Sequence, residues 1–300
     1  LERYIEHGRH IEIQILADTQ GNTVHLFERE CSTQRRHQKI IEESPSPLLT
    51  DAIRQQMGAS AVQAGQAVNY VNAGTVEFIA TPDGEYFFLE MNTRLQVEHP
   101  VTEMVTGLDL VKLQFQIASG QPLPFTQADL SQRGHAIECR LYAEDPRNQF
   151  LPAIGKIHRF IAPIGNGIRV DSGIQSGDDV TIHYDPMIAK LIVYDQDRES
   201  AIQRMITALR DTVILGTTTN LDFLLSLIDN ATFRQGEVHT RFVDDNLDML
   251  LPDTIELDDL ALIVSGLHDL QKQAKPTLTI GASDGDSYSP WNRADNFRLR

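Results

Sequence analysis

Gly74 to Ala80 and Glu85 to Met91 are two runs rich in Val, Phe, Ile and Tyr, and Pro82-Asp83-Gly84 stands between them. Apolar runs about an Asp-Gly turn predict an antiparallel hairpin. With an even loop centred on Asp83-Gly84, Glu77 falls directly opposite Glu90, whereas an odd loop would shift the register by one. The even register puts Thr75, Glu77 and Ile79 on one face with Phe88, Glu90 and Asn92, and turns Val76 and Phe78 away with Leu89 and Met91. Cross-strand partners lie roughly 4.5 to 5.5 Å apart at Cβ. Two carboxylates there repel by about 3 kcal/mol at an effective dielectric near 20. A positive charge is expected between them, and a hard divalent cation fits, since Mg²⁺ takes one or two carboxylates and shares its other positions with water and phosphates.

Beyond the hairpin, every second residue from Glu90 to Glu98 is polar: Glu90, Asn92, Arg94, Gln96, Glu98. Met91, Thr93, Leu95 and Val97 fall between them, which is the period of an extended segment with two faces. A solvated edge strand is the bland alternative. The residue kinds argue against it, because two carboxylates, two amides and a guanidinium form a set suited to binding and proton transfer. His99-Pro100 is expected to break this strand.

Charge and cysteine usage exclude several classes. Asp and Glu number 42 against 26 Lys and Arg, a net charge of -16, so a nucleic-acid or anionic-membrane surface is not expected. Cys31 and Cys139 stand far apart and form no CxxC pair, which points to a reducing compartment without a disulfide framework. No apolar run reaches the length of a membrane span. The chain starts Leu1-Glu2-Arg3-Tyr4, with neither an initiator Met nor a signal segment, and reads as cut from something longer. It has no GxxxxGK[ST] loop, no third glycine after Gly165-Asn166-Gly167, and no HExxH, so the common nucleotide and zinc signatures are missing.

In chain order, His10 to Leu16 alternates polar and Ile residues, and Val24 to Phe27 returns as a second strand after an Asp18 to Asn22 turn. Gln34-Arg35-Arg36-His37-Gln38-Lys39 carries four potential cations in six residues. It reads either as a solvated loop or as an anion site for phosphates. Thr50-Asp51 caps a helix to about Val68, with Ile53, Met57, Ala61, Ala64 and Val68 as a core stripe. A helix is expected over Leu108 to Ala118, then a connection over Gln121 to Gln132. Strands follow at Gly134 to Tyr142, Gly155 to Ala162, Gly167 to Asp171 and Ile188 to Tyr194. Helices follow at Arg198 to Thr212, Asn220 to Asp229, Thr240 to Asn246 and Asp258 to Gln271, and Ala282 to Ser287 has linker composition. The mixture argues for an α+β architecture.

Five runs carry a resemblance. They are Arg9 to Gln14, Cys31 to Lys39, Gly74 to Phe78, Glu90 to Thr102, and Gly134 to Arg140. Together they resemble biotin carboxylase of the ATP-grasp superfamily, in order from residue 1 to about 247. The resemblance implies the second half of an ATP-grasp domain over residues 1–120, the biotin carboxylase C-terminal domain over 121–250, and a helix and linker toward a middle domain over 251–300. Glu2, Arg3 and Ile5 match the hinge segment whose backbone meets adenine; His10, Gln34 and His37 match ribose and phosphate contacts. Glu77 and Glu90 match the carboxylates for Mg²⁺ or Mn²⁺, with Asn92 touching a second ion. Lys39, Arg94, Gln96 and the backbone of Val97 resemble the bicarbonate pocket. Glu98 matches the general base, and Arg140 the arginine that stabilises the biotin enolate.

The implied reaction is ATP-dependent carboxylation of biotin, with bicarbonate as substrate and carboxyphosphate between. No Met-Lys-Met motif is present, so biotin is expected on a carrier domain outside this sequence, alongside further copies in an oligomer and a carboxyltransferase β subunit. The family's amino-terminal domain, glycine-rich lid and two phosphate-binding lysines are expected before Leu1, and the piece alone is expected to be inactive. Ser289 to Arg300 is similar to the approach to the middle domain of an acyl-CoA carboxylase of the 3-methylcrotonyl-, geranyl- or propionyl-CoA type. A bacterial cytoplasm or a mitochondrial matrix is the expected setting. Another ATP-grasp ligase, sharing Glu77, Glu90 and Asn92 without needing Arg140, and a catalytically incomplete assembly module are the alternatives.

Overall fold

The computed structural model describes residues 3–251 and 259–273. Residues 1–252 form one compact unit. Its framework is an eight-stranded sheet of β1 (Arg9–Ala17), β2 (Thr23–Arg35), β3 (Gln38–Ser44), β4 (Asn72–Ala80), β5 (Tyr86–Asn92), β6 (His135–Tyr142), β7 (Ile168–Ser172) and β8 (Met187–Asp195). The order is β7-β8-β6-β3-β2-β1-β4-β5, and every pairing is antiparallel. Pairing of β3 with β6 makes the sheet continuous between the first 44 residues and the chain beyond 135.

Helices α1 (Asp51–Ala67), α2 (His99–Thr106), α3 (Leu110–Ala118), α4 (Arg198–Asp211) and α5 (Leu221–Ile228) cover the sheet. The α+β arrangement follows from the alternation in β1. Ile11, Ile13 and Ile15 pack with Met57 and Ala61 of α1 and with Val76 and Phe78 of β4. Glu12 and Gln14 take the other face, and both are fully buried. The polar side of β1 is therefore an internal polar layer. At the other end of the sheet, Ile137, Leu191 and Val193 meet Met205, Leu209, Phe223 and Leu227 in a second apolar layer. Thr50 caps α1, its hydroxyl accepting from the Ile53 N–H at 3.4 Å.

The β4–β5 hairpin differs from the even-loop expectation. Thr81 N–H donates to the Glu85 carbonyl at 2.8 Å and Gly84 N–H to the Thr81 carbonyl at 3.0 Å, with Gly84 at φ +87. That is a three-residue loop, a turn closed by a residue in the left-handed region. The odd loop pairs Ala80 with Tyr86, Ile79 with Phe87 and Phe78 with Phe88. A bulge then inserts Leu89 as an extra residue, after which Glu77 pairs with Glu90 and Thr75 with Asn92. Glu77 still opposes Glu90, by a different route, and Phe88 stacks edge-on with Phe78 instead of sharing a face with Ile79.

Other boundaries also moved. Extended structure stops at Asn92, so the segment to Glu98 is a loop and turn. His99-Pro100 opens α2 because proline tolerates the first turn of a helix, where its missing N–H costs nothing. Gln34 to Lys39 is neither a solvated loop nor an irregular one. Strand β2 runs on to Arg35, Arg36 and His37 make a tight turn with positive φ, and β3 starts at Gln38. The expected strand over Gly155 to Ala162 is two short ones, Gly155–Lys156 and Arg159–Ile161, in separate two-stranded sheets. Asp259–Gln273 is a helix within the second unit, residues 253–300. The linker over Ala282 to Ser287 and the Ser289 to Arg300 stretch lie outside the described residues.

Candidate active site

One cleft of about 950 Å³ opens above the middle of the sheet. Its lining includes Arg3, Ile5, His10, Gln34, His37, Lys39, Glu77, Glu90, Asn92, Arg94, Gln96, Val97, Glu98 and Arg140. Every candidate residue is therefore gathered there except Glu2, which lies outside the described residues. Strand β1 supplies His10, the β2–β3 hairpin supplies Gln34, His37 and Lys39, the β4–β5 hairpin supplies Glu77, Glu90 and Asn92, and β6 supplies Arg140. Gln34 stands opposite Lys39 across the hairpin. Arg3 and Arg94 sit apart from the buried network. Arg3 leans over the Phe87 ring at 5.3 Å, and Arg94 is exposed, donating to its neighbour Leu95's carbonyl at 3.4 Å.

At the centre, Lys39 Nζ donates to Glu98 Oε1 at 2.7 Å and to Glu77 Oε1 at 3.3 Å, and also to Glu12. Glu77 Oε1 further accepts from Asn92 Nδ2 at 2.8 Å and Gln96 Nε2 at 2.7 Å, while Oε2 lies 2.9 Å from His10 Nε2. Behind them Arg29, wholly buried, donates to Glu12 at 3.0 Å and to the Gln14 and Gln96 amide oxygens at 2.7 Å. The Gln96 amide is thus fixed at both ends, its oxygen by Arg29 and its nitrogen on Glu77. Glu98 is held from two sides, by Lys39 and by Arg140 Nη2 at 2.9 Å. Arg140 Nε donates to Glu42 at 2.6 Å, and Lys190 Nζ donates to the Val97 carbonyl at 2.7 Å.

These charges set one another's protonation. Burial alone would raise the Glu77 carboxyl, but the His10 hydrogen bond and the Lys39 charge outweigh it and hold it well below the carboxylate range. Burial likewise opposes ionisation of Lys39, and Glu12 and its neighbours overcome that and keep the ammonium charged. Arg140 follows the same pattern, with Glu42 and Glu98 outweighing burial. Each cation is needed because the carboxylates are buried, and each carboxylate is tolerable only because the cations are there.

The hairpin also meets the requirements of a metal site. Asn92 Nδ2 reaches both Glu77 Oε1 at 2.8 Å and Glu90 Oε1 at 3.2 Å, so one atom spans both carboxylates. A half-turn of the amide replaces that N–H by its oxygen. Carboxylates and an amide oxygen form a hard donor set, suited to Mg²⁺ or Mn²⁺ and poor for soft metals.

Comparison with known proteins follows the same division of the chain. Residues 1–126 match the family "Carbamoyl-phosphate synthase L chain, ATP binding domain", and residues 138–245 match "Biotin carboxylase C-terminal domain". The chain thus carries, in order, an ATP-binding domain and a biotin carboxylase C-terminal domain. It is 47% identical over 300 residues to the alpha subunit of the mitochondrial methylcrotonoyl-CoA carboxylase of Dictyostelium discoideum, covering all of this chain and 42% of that protein. The biotin carboxylase of a Nostoc species is 51% identical over 245 residues, covering 82% of this chain and 55% of its own length. Among solved structures, the biotin carboxylase domain of a thermophilic 2-oxoglutarate carboxylase, bound to bicarbonate, matches with TM-score 0.82 and 46% identity, over 84% of this chain and 57% of that one. The corresponding domain dimer from Hydrogenobacter thermophilus, with MgADP and bicarbonate, also matches with TM-score 0.82 and 46% identity, over 85% of this chain and 56% of that one. The chain spans about half the length of the curated relatives it matches.

Several residues of this cleft carry no usable sequence signal. Tyr142, Asp185, Thr240, Arg241 and Asp244 also line it, and Arg29, Glu42 and Lys190 hold it from behind. Glu12 was visible as part of the β1 alternation, but its burial was not. Arg29 shares β2 with Arg35, and only the fold shows that it lies beneath Gln96.

Proposed function

We propose that this chain contributes the catalytic cleft for ATP-dependent carboxylation of carrier-bound biotin by bicarbonate, through carboxyphosphate, in an acyl-CoA carboxylase. The observation that carries the reading is Glu98, a carboxylate fixed between Lys39 and Arg140 beside a positioned amide. Bicarbonate seated against Lys39, Arg94, Gln96 and the Val97 N–H would have its proton within reach of Glu98. As Glu98 takes that proton, a bicarbonate oxygen attacks the γ-phosphorus, and the bond to ADP breaks. Both reactants are anions, so catalysis is largely positioning and neutralisation of charge by these cations. His10, Gln34 and His37 are assigned to the ribose and phosphates, with Arg3 and Ile5 at the adenine edge.

Glu77, Glu90 and Asn92 fit a divalent cation, which when bound neutralises phosphate charge. Biotin, on a carrier domain outside this sequence, would supply the nitrogen that accepts the carboxyl group, and Arg140 would stabilise charge next to it. Partners of this reading are the carrier domain, further copies of the enzyme and a carboxyltransferase β subunit. The setting is a bacterial cytoplasm or a mitochondrial matrix. The 3-methylcrotonyl-CoA type is favoured because the Dictyostelium and rat methylcrotonoyl-CoA carboxylase proteins align with all 300 residues.

The full-length enzyme tests this. Its ATP hydrolysis should require bicarbonate, and Glu98→Gln should lower that rate by about 10² to 10⁴, the range of a general base. ATPase activity indifferent to bicarbonate, or to Glu98→Gln, refutes the reading.

A further inference from the structure

Beneath the cleft, the strands that carry Lys39 and Arg140 also bring two glutamates side by side. Glu42 of β3 and Glu138 of β6 are cross-strand partners, and both are fully buried. Such partners share a face of the sheet. Glu42 Oε1 accepts from Arg140, whereas Glu42 Oε2 and both oxygens of Glu138 have no hydrogen-bond partner among the described residues. Unpartnered buried carboxylate oxygens are costly, and two ionised carboxylates at cross-strand distance add repulsion of about 3 kcal/mol at a dielectric near 20.

The surrounding cations do not remove this cost. Arg140, on the same strand as Glu138, is already engaged by Glu42 and Glu98. Lys190 of β8 comes no closer to Glu138 than 3.9 Å, while its ammonium hydrogen-bonds the Val97 carbonyl at 2.7 Å and lies 3.5 Å from Asp171. Glu98, in the turn before α2, adds a further negative charge. A single proton resolves the arrangement. Placed on Glu138 and donated to Glu42 Oε2, it partners two of the three orphaned oxygens and removes the repulsion.

We propose that Glu138 is a positioning residue of the carboxylation site: it carries a proton shared with Glu42, and so keeps Glu42 matched to Arg140, which is held between Glu42 and Glu98. This rests on the role given to Arg140 above. Glu138 itself touches no substrate. Burial first, and then the neighbouring Glu42, push the Glu138 carboxyl well above the usual range, against Lys190 and Arg140. Glu42 is also raised by burial, with Arg140 opposing. Of the two, Glu138 keeps the proton, because Glu42 has the direct guanidinium partner. At alkaline pH the loss of that proton places an extra negative charge behind Arg140 and draws it away from the biotin side of the cleft. Transfer to biotin then declines, while ATP cleavage, which depends on Lys39 and Glu98, does not.

The test uses the full-length enzyme. At neutral pH its infrared spectrum should contain the C=O stretch of a protonated, buried carboxylic acid, shifted in D₂O and absent from Glu138→Gln. Glu138→Gln, which keeps a neutral donor, should form carboxybiotin within about threefold of wild type and lose the alkaline decline of that half-reaction; Glu138→Leu should lower it about tenfold or more, the size of a buried acceptor left unpartnered. Absence of the band from wild type, its persistence in Glu138→Gln, or identical alkaline limbs in the two enzymes overturns the proposal. The wild-type spectrum decides the matter even if a variant fails to fold. Bicarbonate-independent ATPase in an enzyme that shows the band would instead count against the function assigned to the cleft.

Discussion

Glu43→Gln should cost the protein its resistance to acid, through a lock distant from the chemistry. Glu43 is only 2% exposed. Its Oε2 accepts from His135 Nε2 and Arg198 Nε, both at 2.7 Å, and its Oε1 from Arg198 Nη2 at 3.0 Å. Arg198 also donates to the carbonyls of Phe233 and Arg234, so one carboxylate ties β3 to β6 and α4 and, through Arg198, to the short helix Ala231–Gln235 beyond α5. Burial would raise the Glu43 carboxyl, but His135 and Arg198 outweigh it and hold it at about 2, against an ordinary 4.5. That depression is worth roughly 3 kcal/mol of folding stability. Because the folded value is the lower one, that stability is present above 4.5 and is lost as pH falls from 4.5 toward about 2. At neutral pH, Glu43→Gln should therefore lose about 3 kcal/mol, and up to about 5 kcal/mol if Arg198 is left without a counter-charge. Urea unfolding of wild type and variant over a pH series measures this. The variant should start lower and show a shallower acid limb. Equal midpoints at neutral pH together with parallel acid limbs would show that Glu43 does not act as a lock.

Arg140→Ala in the full-length enzyme should keep bicarbonate-dependent ATPase and lose carboxybiotin formation by about 10² to 10³, the size of removing one stabilising donor; equal loss of both would make Arg140 part of the nucleotide site. Mg²⁺ with nucleotide should raise the melting temperature of the intact enzyme by mass action. Glu90→Gln should shrink that rise while leaving the enzyme without ligand as stable or slightly more so, and an unchanged rise would remove Glu90 from the metal set.

How far the site could be read in advance depends on what fixes each residue. Glu77 and Glu90 were legible because a hairpin couples its two strands through local turn chemistry. The loop length was not, since Pro82-Asp83-Gly84 serves a two- or a three-residue turn, and the bulge at Leu89 that compensates has no marker in sequence. Alternation from Glu90 to Glu98 picks out residues that do line the cleft, but strand period does not bring them there beyond Asn92. Only Glu90 and Asn92 owe their direction to strand period; Gln96 and Glu98 are turned into the cleft by Arg29, Lys39 and Arg140. Arg36 and His37 give no turn signal, because that conformation is usually taken by Asn and Gly.

The partners of Glu98 also explain why this cleft could not be assembled from its first 120 residues. Lys39 and Glu77 come from strands in the first part of the chain, but the turn bearing Glu98 is held by Arg140 of β6 and, through the Val97 carbonyl, by Lys190 of β8. Both strands lie beyond residue 134, and they reach the turn only because β6 pairs with β3 in the same sheet. Without them, Glu98 would keep Lys39 and lose its second cation, and the Val97 carbonyl would lose the charged donor that orients the adjoining peptide. Sheet continuity across the β3–β6 pair is thus what joins the residues that would activate bicarbonate to the arginine that would serve biotin. Glu98 and Arg140 share one salt bridge of 2.9 Å, so on the proposed reading proton transfer at the first and charge stabilisation at the second would be physically adjacent.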